Sequence, residues 1–164
     1  MQEASFVIRA AAPSDVADIH ALIVALAEYE RARDRVVATE ADLMRALFDE
    51  GASVHAYVAL KGTQCVGFAL YFVSYSTWTG RHGLWLEDLF VLPACRGEGI
   101  GKALLATLAT RAVERGYTRL EWNVLDWNEP ALRFYRSLQA EPLGEWTVHR
   151  LDGASLHALA RFKP

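Results

Sequence analysis

Apolar residues spaced three or four positions apart predict the helices of this chain. The three longer helices cover residues 14–29, 39–48 and 100–116. Ser14 and Thr39 are the expected N-cap residues of the first two, and Gly116 ends the third. A shorter helix opens at Pro130, because proline is favoured in the first turn of a helix.

Short apolar runs bounded by turn residues predict the strands. These runs cover residues 6–9, 54–60, 65–75, 84–91, 120–125, 146–151 and 155–160. Turns at 61–63 and 152–153 predict two hairpins, the second of them at the end of the chain. The order is β-α-α-β-β-β-α-β-α-β-β, so we expect an α/β fold with a mixed, mostly antiparallel sheet.

Composition and charge narrow the function classes. A chain of 164 residues, 52% hydrophobic and 23% charged, suits one globular domain over residues 1–164. The net charge of −3 argues against a nucleic-acid or anionic-membrane partner. The longest uncharged apolar run, 66–73, is too short to cross a bilayer, and no signal peptide precedes it. Two cysteines without metal spacing predict reduced thiols in a cytoplasmic protein and no metal.

A glycine-rich stretch from Arg96 to Lys102 leads directly into the third long helix. Glycines let backbone N–H groups converge, and a helix N-terminus adds unpaired N–H groups and the positive end of its dipole. Arg96 and Lys102 add full positive charge on either side. The stretch therefore predicts a seat for phosphate, most naturally a diphosphate.

Two common phosphate-binding motifs do not fit this stretch. A P-loop requires Ser or Thr after Gly-Lys, whereas Ala103 follows Lys102 here. A dinucleotide fingerprint requires a third glycine where Lys102 stands. Its ribose-binding acid would be Glu121, which lies inside the next apolar run instead of at its end.

The stretch instead resembles Arg/Gln-x-x-Gly-x-Gly/Ala, the diphosphate loop of the GNAT acetyltransferases. Other segments resemble one branch of that family, the diamine acetyltransferases, with its spermidine/spermine enzyme and thialysine-acetylating sister. The likeness runs from Phe6 to about Trp146 and rests on residues 6–9, 26–30, 75–81, 86–88, 126–130 and 134–135. It implies the GNAT fold, whose two central parallel strands splay apart around the pantetheine of acetyl-CoA. It also implies a homodimer formed through the C-terminal strands.

The resemblance assigns the acetyl-CoA site to three segments. They are Leu89, Phe90 and Val91; Arg96, Gly97, Glu98, Gly99, Ile100, Gly101 and Lys102; and Asn128, Pro130 and Ala131. Asn128 is expected to bond the pantetheine amides, to cap the helix that opens at Pro130, or to do both. For Arg96 a plain surface charge is the alternative, which the neighbouring glycines disfavour.

Acetyl transfer to an amine sets three chemical requirements. An acceptor ammonium with a pKa of roughly 10 must lose a proton, and we expect Glu87 to accept it directly or through a water. The developing oxyanion needs a donor, and the resemblance implies that backbone N–H groups of residues 89–91 supply it, since GNAT strands carry a bulge there. The departing thiolate benefits from a proton, and Tyr135 matches the family's general-acid tyrosine.

Each of these assignments has a plainer alternative. Glu87 and Asp88 are otherwise solvated acids at a strand end, and Tyr135 a packing aromatic. Successive strand residues point to opposite faces, so the two acids share a face only if a bulge intervenes. Many relatives carry glycine where Gln139 stands, and a left-handed cap strains glutamine, so we expect that helix to end differently.

The acceptor channel of the diamine branch supplies the remaining candidates. They are Tyr29, Glu30, Trp78, Glu87, Asp88, Glu121, Trp122 and Asn123. Acids and indoles suit a cationic amine through charge pairing and cation–π contact. Tyr29 and Trp78 are equally well explained as core or dimer-interface aromatics. The spermidine enzyme has an extra acid where Ser76 stands, which disfavours long polyamines.

These observations predict an N-acetyltransferase that acts on a diamine, a polyamine or a lysine-like amino acid. Direct attack in a ternary complex is expected, because no cysteine stands at the Glu87 or Tyr135 position. Two other functions stay open: acetylation of a protein N-terminus or lysine, and non-catalytic acyl-CoA binding.

Overall fold

The computed structural model describes residues 6–163, which form five strands, five α-helices and three short 3-10 turns. In chain order the helices and strands are β1 (Val7–Ala10), α1 (Val16–Tyr29), α2 (Glu40–Phe48), β2 (Val54–Lys61), β3 (Gln64–Ser76), β4 (Arg81–Val91), α3 (Ile100–Glu114), β5 (Leu120–Trp122), α4 (Glu129–Ser137) and α5 (Gly153–Ala160). The chain divides into two compact units, the first ending at Asn123 and the second beginning at Val124.

The five strands form one sheet in the order β1-β2-β3-β4-β5. The first four pair antiparallel, whereas β4 and β5 are parallel. This confirms the predicted α/β fold with a mixed, mostly antiparallel sheet. Among residues 6–163, no helix combines the length and the apolar composition that crossing a bilayer requires.

Helices cover the sheet of the first unit from both sides. On one side, Ile19 and Leu22 of α1 and Leu43 of α2 pack on Val58 and Phe68 of the sheet, and we call this side the α1 face. On the other, α3 lies against the sheet with Leu104 and Leu108 fully buried. Arg111 of α3 stands 6.0 Å from the ring centre of Tyr71, which marks that side as the α3 face.

The predicted helix boundaries are mostly confirmed. Thr39 caps α2 in a capping box, in which its Oγ1 accepts from Asp42 N at 3.2 Å and its own N–H donates to the Asp42 carboxylate at 2.8 Å. Gly116 terminates α3 with a φ of 68°, and Tyr117 N donates to Ala112 O at 2.8 Å.

The expected cap at Ser14 is wrong. Ser14 lies in a 3-10 turn, and Asp15 occupies the N-cap position of α1 without a side-chain cap bond. Its carboxylate is bound instead by Arg9, at 2.6 and 2.9 Å, and by Ala12 N at 2.7 Å. Arg9 thereby ties β1 to the start of α1.

The predicted C-terminal hairpin is also wrong. Residues 146–151 form no regular element, and residues 153–160 are the helix α5. That segment reads Gly-Ala-Ser-Leu-His-Ala-Leu-Ala, and alanine and leucine are strong helix formers. Gly153 has a φ of 48° at the start of this helix, where the prediction placed a hairpin turn.

Candidate active site

A bulge in β4 changes the faces to which its two acids point. Leu70 of β3 pairs with Asp88. The next β3 residue, Tyr71, pairs with Leu86, so Glu87 is an extra residue in the β4 strand. A bulge of this kind interrupts the alternation of side chains between the two faces.

Both acids therefore lie on the α1 face. Leu70 belongs to the core under α1, and its cross-strand partner Asp88 shares that face. Trp85 pairs with Phe72, which lies two residues beyond Leu70 and on the same face. The Trp85 indole Nε1 donates to Glu87 Oε2 at 3.2 Å, which places Glu87 on that face as well. The bulge that the two acids need in order to share a face is therefore present.

The surroundings of Asp88 make it an unusually weak acid. Asp88 is half-buried, whereas Glu87 is exposed. Burial, followed by the negative charges of Glu87 and Glu30, raises the pKa of Asp88 to about 6. Burial also raises the pKa of Glu30. A carboxyl that titrates near neutral pH is suited to proton transfer.

The C-terminal end of α1 holds Tyr29 and Glu30 in place. Arg31 adopts a left-handed φ of 59°, and Ala32 N donates to Ala27 O at 2.8 Å, which closes the helix end. Tyr29 packs against the core of the α1 face, and Glu30 is near enough to influence Asp88. The structure thus brings together four of the predicted acceptor residues: Tyr29, Glu30, Glu87 and Asp88.

Strands β4 and β5 pair over three residues, after which β5 ends. The ladder joins Leu84 to Leu120 and ends where Leu86 meets Trp122, although β4 continues to Val91. Within the described chain, the stretch 89–91 therefore has a strand neighbour only on the β3 side. Its outer edge leaves backbone groups that an extended ligand can pair with.

The glycine loop has the geometry of an anion site. Gly97 and Gly99 have φ values of 82° and 86°, which strain any other residue, and a Cβ at either would meet nothing within 4 Å. Helix α3 begins at Ile100, so the N–H groups of residues 99–102 have no partner inside the helix. Lys61 binds Glu98 at 2.8 Å and offsets its charge. These features fit a diphosphate.

Arg96 turns towards α1 at the edge of this loop. Its Nε donates to Val91 O at 3.0 Å. Its Cζ stands 4.8 Å from the ring centre of Tyr29 and 5.4 Å from that of Phe90. The side chain is therefore held by three contacts, unlike a surface charge in open solvent.

The other four predicted acceptor residues lie on both faces of the sheet and in loops. Glu121 pairs with Trp85 and so shares the α1 face, where Arg119 binds it at 2.9 Å. Trp122 pairs with Leu86 and lies on the α3 face. Trp78, 89% exposed, lies in the turn between β3 and β4. Asn123 is the exposed residue after β5.

Helix α4 of the second unit carries the remaining candidates. Asn128 is buried and accepts from Ala131 N at 3.4 Å, so it caps α4, with Pro130 in the first turn. Tyr135 is half-buried and its ring centre lies 5.4 Å from that of Phe134. The expectation for Gln139 is wrong: its φ is 61°, and Ala140 N donates to Tyr135 O across the left-handed turn.

Sequence reasoning missed Trp85, Arg119 and Lys61, each of which binds a predicted acid. Trp85 precedes Glu87 by two residues, the spacing of neighbours on one strand face, and this spacing was the only signal in the sequence for any of the three contacts.

Residues 6–163 contain no group of three or more His, Cys, Asp or Glu side chains that could hold a metal. Burial raises the pKa of the Cys65 thiol to about 11, which makes it a poor nucleophile.

Comparison with known proteins identifies the family and the fold. The sequence profile of the acetyltransferase (GNAT) family matches residues 17–139. Thialysine N-epsilon-acetyltransferase of Sus scrofa is 38% identical over 96% of this chain and 98% of its own length. L-ornithine N5-acetyltransferase of Arabidopsis thaliana is 31% identical, over 93% of this chain and 86% of its own. A solved integron cassette protein from the Vibrio cholerae mobile metagenome superposes with a TM-score of 0.81 at 29% identity, covering 96% of this chain and 99% of its own.

Proposed function

The chain belongs to the acetyltransferase (GNAT) family and is an acyl-transferring enzyme, and we propose that it acetylates a primary amine of a small cationic acceptor, using acetyl-CoA. The observation that carries this proposal is the bulge that aligns Glu87 and Asp88 on one face of β4, the strand that leads to the glycine loop. One strand thus connects a cluster of acids to the glycine loop.

The loop residues are proposed to hold the diphosphate of acetyl-CoA. Arg96, Lys102 and the N–H groups of residues 97–102 supply the positive charge and the donors. The open edge of residues 89–91 and the amide of Asn128 are proposed to bond the pantetheine arm. When bound, acetyl-CoA supplies an acetyl group activated as a thioester.

Residues of the protein are then proposed to transfer protons and to stabilise charge. Glu87 is proposed to take the acceptor's ammonium proton directly or through a water, while Asp88 and Glu30 attract the cation. Backbone N–H groups of residues 89–91 are proposed to stabilise the developing oxyanion. Tyr135, assigned by its place in the family motif, is proposed to protonate the departing thiolate. The buried, weakly acidic Cys65 supports direct attack over an acetylated cysteine.

Asp88 is the alternative base, because its pKa of about 6 is better matched to neutral pH. The two assignments differ in their pH–rate profiles. If Asp88 is the base, Glu87→Gln retains activity and moves the acid limb to lower pH, since a neighbouring negative charge is lost. If Glu87 is the base, Glu87→Gln abolishes most activity at every pH, and Asp88→Asn mainly raises KM for the amine.

A lysine-like acceptor suits the acidic cluster better than a long polyamine does. Its acids, Glu30, Glu87 and Asp88, are grouped at one place. Ser76 is buried and its Oγ accepts from Thr79 N at 3.4 Å within the β3–β4 turn, so it adds no charge for a second ammonium. Relatives named for thialysine and ornithine point to the same substrate class.

Release of CoA by the purified full chain tests the proposal. The panel comprises thialysine, lysine, ornithine, short diamines, spermidine and amino-terminal peptides, each with acetyl-CoA. We expect the highest kcat/KM on an amino acid with a side-chain amine, and strongly reduced rates for Tyr135→Phe. Turnover on peptides alone would instead identify a protein acetyltransferase. Acetyl-CoA binding without turnover on any amine would identify a non-catalytic module.

We also propose that the protein is a homodimer held by its C-terminal segment. Residues 141–163 are exposed throughout. Seven large apolar side chains in this segment are at least 50% exposed: Leu143, Trp146, Val148, Leu151, Leu156, Leu159 and Phe162. Covering them would bury on the order of 800 Å² per protomer, the size of a standard interface. Light scattering should show a dimer that Leu156→Glu with Leu159→Glu converts to a monomer; a monomeric parent protein would contradict this.

A further inference from the structure

The Arg96 side chain is fixed by contacts on two different elements. Val91, at the end of β4, accepts a hydrogen bond from its Nε, and Phe90 lies 5.4 Å from Cζ. Tyr29, at the end of α1, lies closer, at 4.8 Å from ring centre to Cζ. These distances are within the range of cation–π attraction.

This arrangement orients the Arg96 guanidinium before an anion binds. An arginine has five N–H donors in a planar fork, and the bond to Val91 uses only the one on Nε. The two terminal amino groups carry the other four donors, which match a diphosphate oxygen pair. A free arginine side chain loses rotamer entropy when it binds, and contacts that already restrict it reduce that loss.

The position of Tyr29 is itself determined by the end of α1. The left-handed Arg31 and the bond from Ala32 N to Ala27 O close the helix directly after it. Tyr29 is also packed against the core of the α1 face. The Tyr29 ring therefore has a fixed position, and the Arg96 guanidinium packs against it.

We propose that Tyr29 is a positioning residue for Arg96, holding its guanidinium at the edge of the glycine loop so that it receives the diphosphate of acetyl-CoA. Tyr29 then acts on the cosubstrate side of the reaction, in addition to any contact with the acceptor amine. This inference rests on the proposed function, because it requires that the loop binds the diphosphate.

Calorimetric binding of CoA without any amine tests the inference, since it excludes effects on the acceptor. Tyr29→Leu removes the ring face and should weaken CoA binding about five-fold, as expected for loss of one partly exposed cation–π contact. Tyr29→Phe keeps the ring and should restore the affinity of the parent protein. Tyr75→Leu, the same change at an exposed tyrosine of β3, is the matched control and should leave the dissociation constant unchanged.

A double-mutant cycle shows whether Tyr29 acts through Arg96. Arg96→Gln should weaken CoA binding by itself, and adding Tyr29→Leu should then cost nothing further. Additive losses, or a Tyr29→Leu protein with the parent affinity, would overturn the inference. Tyr29→Met, which fills more of the space without a ring, replaces Tyr29→Leu if that variant does not fold. A parent protein that binds no CoA would overturn the proposed function itself.

Discussion

Replacing Asp88 by asparagine should stabilise the protein at alkaline pH while impairing its activity. The pKa of Asp88 is about 6 in the folded protein, against roughly 4 in an unfolded chain. The difference of about two units corresponds to about 3 kcal/mol of unfavourable free energy when the carboxylate is charged. Partial contact of Asp88 with solvent reduces this, so we expect a gain of about 1–3 kcal/mol.

The pH dependence has a definite sign. Because the folded state raises the pKa, Asp88 favours folding most when it is protonated, below about pH 4. That contribution is lost as the pH rises through about 6. Asp88→Asn cannot ionise, so its advantage should be small near pH 4 and complete by pH 8. Binding sites commonly exchange stability for function in this way.

Urea unfolding at pH 4.5, 6 and 8, at one protein concentration, measures this effect. The exposed Asp34 provides a control, Asp34→Asn, for which we expect less than about 0.5 kcal/mol at every pH. An Asp88→Asn protein that gains no stability between pH 4.5 and pH 8 would refute the reasoning. A stabilised Asp88→Asn protein with undiminished acetyl transfer would also refute it, because Asp88 would then have no role in the reaction.

Two further stability predictions concern the ends of helices. Asp15→Asn should cost about 2 kcal/mol at pH 7, because Arg9 and Ala12 N both bind the carboxylate and lower its pKa. Urea unfolding should show that difference disappear as the pH falls below roughly 4, through the folded pKa; a pH-independent loss would contradict it. Gln139→Gly should raise the melting temperature through about 1 kcal/mol of relieved strain, since Gln139 has a φ of 61°. Ser137→Gly, inside α4, should lower it, and equal signs for the two changes would contradict the explanation.

Interactions between residues close in sequence could be predicted from the sequence. The capping box of Thr39 and Asp42 spans three residues, and its atoms meet wherever a helix begins at that point. The left-handed glycines at 97 and 99 and the helix start at Ile100 likewise depend on local backbone preferences. The geometry of the glycine loop could therefore be predicted without knowledge of the fold.

The arrangement of the predicted acceptor residues depended on cross-strand register. A single extra residue in β4 decides that Glu87 and Asp88 share a face, and no local preference indicates that residue. The same register divides two neighbours in the chain, placing Glu121 on the α1 face and Trp122 on the other. The support of Arg96 by Tyr29 joins positions 67 residues apart in sequence and follows from the packing of α1 against β4.

The wrong predictions show the limits of local patterns. Residues 153–160 contain apolar positions compatible with a strand, but their alanine and leucine content favours a helix. Gln139 bears a strain that the hydrogen bonds of the helix end compensate. The sequence alone determined the left-handed glycine loop and the helix start that together suit an anion, because a few adjacent residues build that geometry. Only the tertiary structure decided which carboxylates share one face of β4, because that depends on how distant strands align.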